Sequence, residues 1–186
     1  MCCEQPIGIR HFFISYFEAS TVSPCLGPRL ITFDDVSNAT KTDAALPSLY
    51  NCFYWTNGWY LNTSTTSVTS GYRQALSSGV YIVLNRNGTL MNMTTTTSSF
   101  DIYSFVGSSG YASPLHLFLQ GLRSSGGVTY SRDVLVYNNT ATMILLNWTN
   151  LTTVTIGSYF YNSANFQNYT GLGYQFSIDN INVSLS

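Results

Sequence analysis

In Leu115-His-Leu-Phe-Leu119 apolar residues recur at every second position, so an extended strand puts the three leucines on one face and His116 and Phe118 on the other. The same period gathers Val128, Tyr130, Val134 and Val136 on one face, interrupted by Arg132. Arg29 to Phe33 predicts a strand that stops at Asp34-Asp35, and Asn51 to Leu61 predicts an aromatic-rich extended segment. Val80 to Asn85 is a continuous apolar run ahead of an Asn87-Gly88 turn, with Thr89 to Thr95 expected to return as its hairpin partner. Phe100 to Val106 is expected to end at Gly107-Ser-Ser-Gly110. Thr142 to Trp148, Leu151 to Ile156 and Tyr174 to Leu185 complete a set of about ten short strands.

No segment carries a sustained 3.6-residue apolar period with caps, so the fold class is all-β. Antiparallel sheets with one wet face must bury their apolar faces on each other, which predicts a two-sheet jelly-roll sandwich. Residues 1–28 form a poorly patterned leader, or the remnant of a signal segment, ending in Pro24-Cys25-Leu26-Gly27-Pro28. Residues 29–186 are the expected single domain. No apolar run approaches the ~20 residues of a membrane span, so no membrane insertion is expected. The run Met143-Ile-Leu-Leu146 predicts aggregation wherever its strand is left unpaired.

Composition sharpens this picture. The 186 residues are 45% hydrophobic but only 8% charged, with seven Lys+Arg against eight Asp+Glu and a formal net charge of −1. Seven scattered cations do not make a phosphate-binding surface, so nucleic acid is not an expected partner. Hydration must instead come from 46 Ser and Thr and 16 Asn. Nine Asn-x-Ser/Thr sequons would add glycans in a secretory pathway. Those expected to be used are at Asn38, Asn62, Asn87, Asn92, Asn138 and Asn168. Asn147 and Asn150 lie in one apolar stretch, where a glycan is expected to compete with packing. Cys25 and Cys52 flank the first strand; they either form a disulfide closing about 27 residues or stay as reduced, buried thiols.

The order of short motifs resembles one family. Ile31-Thr-Phe-Asp-Asp35 is followed by Tyr54-Trp-Thr-Asn-Gly-Trp-Tyr-Leu61, Ser70-Gly-Tyr72 and Gly79-Val-Tyr-Ile-Val-Leu-Asn85. Phe100-Asp-Ile-Tyr-Ser104, Leu115-x-Leu-x-Leu-x-Gly121 and Phe176-Ser-Ile-Asp-Asn-Ile-Asn-Val183 complete it. In that order they resemble the extracellular jelly-roll modules similar to carbohydrate-binding modules, the galactose-binding-like sandwiches. The resemblance covers residues 29–185 and implies the fold; most members have no assigned ligand.

Sugar rings stack their C–H faces on aromatic side chains while amides and charged groups read the hydroxyls. Tyr54, Trp55, Trp59, Tyr60 and Tyr72 form the densest aromatic cluster, with Asn57 and Arg73 as polar partners; alternation puts Trp55 and Trp59 on one face and Tyr54 and Tyr60 on the other, and either set can be core. Tyr159, Tyr161 and Tyr169 stand in a long Asn-, Ser- and Gly-rich stretch, the composition of an adaptable binding loop or of a plug at a sandwich end. Asp34, Asp35 and Asp179 lie at the two ends of the domain and are expected to converge, either on a structural calcium ion or on neighbouring backbone amides. No other cofactor is expected. His116 has no nucleophile patterned beside it, and no hydrolase or phosphate-loop motif occurs, so the chain reads as a non-enzyme. The expected function is extracellular binding of glycans or of matrix and cell-surface molecules, with an adhesive domain for protein partners as the alternative.

Overall fold

The computed structural model describes residues 25–36, 42–160 and 174–186. It is a sandwich of two antiparallel sheets. The first sheet contains β1 (Gly27–Ile31), β2 (Asp43–Ala45), β5 (Gly58–Asn62), β6 (Tyr81–Asn85), β8 (Phe100–Ser109), β11 (Thr142–Leu151) and β13 (Phe176–Leu185). The second contains β3 (Leu49–Tyr50), β4 (Phe53–Thr56), β7 (Met91–Thr95), β9 (Leu115–Arg123), β10 (Gly127–Val136) and β12 (Thr153–Tyr159). Their orders are β11-β8-β13-β6-β5-β2, with β1 also paired to β13, and β10-β9-β12-β7-β4-β3. From β4 onward the chain mostly alternates between layers, the jelly-roll habit.

The buried residues come from the inward faces of both layers. Leu115, Leu117 and Leu119 are wholly buried, with His116 and Phe118 on the outer face. Phe33, Phe53, Phe100, Phe105 and Phe176 fill the space between the sheets. Phe53 meets Phe100 edge to face, with ring centroids 4.9 Å apart. β1 starts at Gly27 and so takes in the last two residues of the expected leader. The rest of that leader, residues 1–24, lies outside the described residues.

Three local readings are corrected. Asn51 to Leu61 is not one extended segment, because Asn57 has a φ of +59° and the chain there passes from β4 in one sheet to β5 in the other. β7 is not the hairpin partner of β6: the 3-10 turn Arg86–Gly88, with Asn87 at φ +58°, carries the chain across to the opposite layer. β8 runs through Gly107 to Ser109 because Ser108 is fully buried and its hydroxyl is satisfied, bonding Gly71 O at 2.7 Å and Ser177 Oγ at 2.9 Å.

The structure joins Cys25 to Cys52 in a disulfide. Cys52 sits with Asn51 in the two-residue turn between β3 and β4, both at positive φ (68° and 52°), as a type I′ hairpin requires. The cross-link therefore connects the start of the first sheet's β1 to a turn of the second sheet.

Candidate functional site

On the outer face of the first sheet, Trp59 and Leu61 of β5 stand beside Ile82 and Leu84 of β6, Trp59 directly opposite Leu84. Four buried or half-buried apolar groups on an outward face need a cover. The short helix α1 (Gly71–Gln74) and the residues after it provide one, packing Tyr72 and Leu76 on this second cluster. Gly71 lets α1 approach closely, since a Cβ there would lie 2.6 Å from Gly110 O.

The cover is incomplete. Between α1 and the Arg86–Gly88 turn remains an open cleft of about 260 Å3. Leu61 and Leu84 form its apolar floor, Tyr72 and Gln175 one wall, and Asp43, Arg86 and Asn87 the polar rim. Tyr72 donates its hydroxyl hydrogen bond to Gln175 Oε1 and meets Tyr111 edge to face. Burial, followed by the hydrogen bond with Tyr111, pushes the Tyr72 phenol well above its ordinary value, so it stays a neutral donor. The Arg86 guanidinium lies 3.8 Å from the Trp59 ring centroid and 3.4 Å from Asp43 Oδ2. It thus caps the indole with a cation while leaving N–H donors at the rim.

Of the expected ligand-binding residues, the structure brings only Tyr72 into the lining of this cleft; Trp59 lies beside it, under the Arg86 guanidinium. Trp55 points the opposite way: it is 7% exposed, packs edge to face on Phe33, and donates its indole N–H to Tyr50 O at 3.1 Å. The expected shared face of Trp55 and Trp59 is overturned because alternation does not survive the change of sheet at Asn57-Gly58. Tyr54, not Trp55, is the exposed aromatic of β4. Asn57 is exposed, and its amide donates to Leu90 O at 2.7 Å, which makes it a turn-fixing residue. Arg73 is half-buried and is not among the residues lining the cleft.

Tyr159 lies on the outer face of the second sheet. Its ring stacks on His116 with centroids 4.7 Å apart, and its hydroxyl donates to Asp133, whose other oxygen is 2.8 Å from His116 Nδ1. Tyr161 and Tyr169 lie outside the described residues. Arg86, Asp43, Leu84 and Gln175 were missed in the sequence, where they stand scattered; Asp43 and Arg86 are 43 residues apart.

Asp34 and Asp179 do converge, and what they meet is a loop. Asp179 is fully buried, and its Oδ2 accepts the N–H of Ser77 at 2.7 Å and of Ser78 at 3.1 Å. Asp34 Oδ1 accepts from the N–H of Val80 and Tyr81, and its Oδ2 from the Ser78 hydroxyl. Asp35 accepts from the Tyr50 hydroxyl. These oxygens are engaged by N–H and O–H donors, and among the described residues no group of three or more His, Cys, Asp or Glu side chains could hold a metal ion. Desolvation raises the Asp179 carboxyl to about 6, against the lowering effect of its three backbone donors.

The sequons sort by their surroundings. Asn62 caps a 3-10 turn, accepting from Ser64 N; Asn92 Oδ1 accepts from Thr155; Asn138 donates to Tyr111 O at 2.9 Å. Asn87 is exposed at the cleft rim, and Asn38 and Asn168 lie outside the described residues. Asn147 and Asn150 are both exposed, because each sits at a register shift of β11 with φ of +53° and +56°. The expected conflict between packing and a glycan there does not arise.

No protein-family model and no curated protein matches the chain. Among solved structures it is similar to a DUF4465 family protein from Bacteroides caccae, with a TM-score of 0.62 at 10% identity over 86% of this chain and 99% of that one. It is also similar to the K2 cleaved adhesin domain of Lys-gingipain, with a TM-score of 0.47 at 9% identity over 85% and 99%. The CBM22-1 xylan-binding domain of Paenibacillus barcinonensis Xyn10C gives 0.42 at 8% identity over 84% and 92%. The class thus defined is an all-β, two-sheet jelly-roll sandwich sharing its fold with the Bacteroides protein. Among the described residues no helix is long and apolar enough to cross a membrane.

Proposed function

We propose that the chain is an extracellular, non-catalytic binding module that holds carbohydrate in the cleft on the outer face of its first sheet. One observation carries this reading: the cleft joins an apolar floor, Leu61 and Leu84, to a neutral phenol, a guanidinium, a carboxylate and two amides at its rim. A saccharide presents that same mixture, C–H faces between hydroxyls that both donate and accept. Arg86 and Asp43 supply the charge-assisted bonds, and Tyr72, its own proton engaged by Gln175, supplies a hydroxyl oxygen that can accept from a sugar hydroxyl. The exposed Asn87 amide continues the rim outward, toward further residues of an extended glycan.

A glycan array probed with the purified chain, with and without calcium, tests the proposal. Binding that is retained without calcium and lost in Arg86→Ala and Tyr72→Phe is the expected result. Absence of binding to any glycan, or binding indifferent to both substitutions, overturns it.

A further inference from the structure

Strand β11 closes one side of the first sheet: among the described residues it pairs with β8 alone, so no strand pairs its other side, where only the Arg132 and Arg123 side chains reach carbonyls, at Leu145 and Thr149. Exposed Met143 and Leu145 mark the beginning of that edge. Farther along, Asn147 and Asn150 each occupy a register shift, where positive φ turns the backbone out of the ladder. Neither side-chain amide has a hydrogen-bond partner among the described residues, unlike those of Asn62, Asn92 and Asn138. Both begin sequons, completed by Thr149 and Thr152.

We infer that Asn147 and Asn150 are N-glycosylation sites whose glycans cover the free edge of β11; the inference rests on the extracellular placement proposed above. In the transfer, Asn Nδ2 bonds to the anomeric carbon of a lipid-diphosphate-linked oligosaccharide. The bond from that carbon to the diphosphate oxygen breaks, the lipid diphosphate leaves with the electron pair, and the amide nitrogen gives up one proton. The folded chain must then accommodate a bulky, hydrated group on that nitrogen. An exposed amide with no bond to lose accommodates it without disturbing the core, and a bulge already turned outward carries the glycan clear of β8. Such a group beside the outward backbone of β11 blocks a second strand from adding there.

The test is peptide mass spectrometry on the full chain, secreted from a eukaryotic host with an appended secretion signal and treated with peptide N-glycosidase in heavy-oxygen water. Label is expected at Asn147, at Asn150, or at both. It should vanish at Asn147 in Thr149→Val and at Asn150 in Thr152→Val, variants that leave the positive-φ asparagines in place. A secreted chain with both sites bare, whatever the state of its other sequons, overturns the inference. The remaining sequons separate the two readings: both sites bare while others carry label overturns this assignment alone, whereas a secreted chain bare at every sequon counts against the extracellular placement as well.

Discussion

The carboxylate of Asp179 accepts the backbone N–H of Ser77 at 2.7 Å across 102 residues of chain, pinning the loop after α1 to the centre of the first sheet. Ser78 N–H binds the same oxygen and Asn180 N–H the other. That loop carries α1 and with it Tyr72, so the buried acid supports the cleft from beneath.

Asp179 makes stability depend on pH in an unusual direction. Its folded value of about 6 stands above the ordinary 3.8, so the folded state holds a proton that the unfolded chain releases. The contribution is fully present below the unfolded value and is lost as pH rises through about 6. Relative to pH 7.5, stability at pH 5 should gain about 1–2 kcal/mol once solvent screening is allowed for. Asp179→Asn should flatten this part of the profile in denaturant melts at the two pH values. The variant should also lose about 1–3 kcal/mol, because its NH2 group faces a backbone donor.

Arg86→Ala should uncover Trp59. Trp55 and Trp148 are each only 7% exposed, so acrylamide quenching reports chiefly on Trp59 and should increase, with an emission shift to the red. Because the Arg86–Asp43 pair is exposed, stability should change by less than about 1 kcal/mol.

Gly71→Ala would drive a methyl group into the carbonyls of Ser109 and Gly110, both backbone atoms that cannot swing aside. A loss of about 2–3 kcal/mol is expected in chemical denaturation. The displaced Tyr72 should also weaken ligand capture.

Arg132→Ala should promote association. Arg132 donates across the gap between the layers to Leu145 O on the free edge of β11, and Arg123 donates to Thr149 O at 3.4 Å. Without Arg132 an outward carbonyl beside exposed Met143 and Leu145 is open to pairing. Concentration-dependent light scattering of the unglycosylated chain should rise, with the thermal midpoint nearly unchanged.

Replacing both Cys25 and Cys52 by Ser should cost roughly 3 kcal/mol, the loop-closure entropy of the 27-residue separation. Calorimetry of the double variant against the oxidised parent measures it.

The layers were legible where burial is one-sided over a whole strand, as at Leu115, Leu117 and Leu119, because alternation then records the core directly. Alternation failed wherever the chain changed layer or register. Asn57 sends Trp55 inward and Trp59 outward, and a register shift between Val128 and Tyr130 leaves Val128 exposed while Val136 is buried. Arg132 interrupted an inward-facing set for a reason no period can show: it stands at a sheet edge and its guanidinium serves the opposite sheet. The cleft was half legible. Aromatic density marked Tyr72 in its wall and Trp59 beside it, but Arg86, Asp43 and Gln175 reach it only through strand pairings formed by distant segments.

The two long sides of the sandwich are fastened differently. Near β3 and β4 a covalent link ties the layers together, while the β10–β11 side is closed by arginine and tyrosine side chains reaching between strands of different sheets. Under mechanical pull or mild denaturant the molecule should part like a book, hinged at the sulfur-bonded spine and opening first along its polar fore-edge.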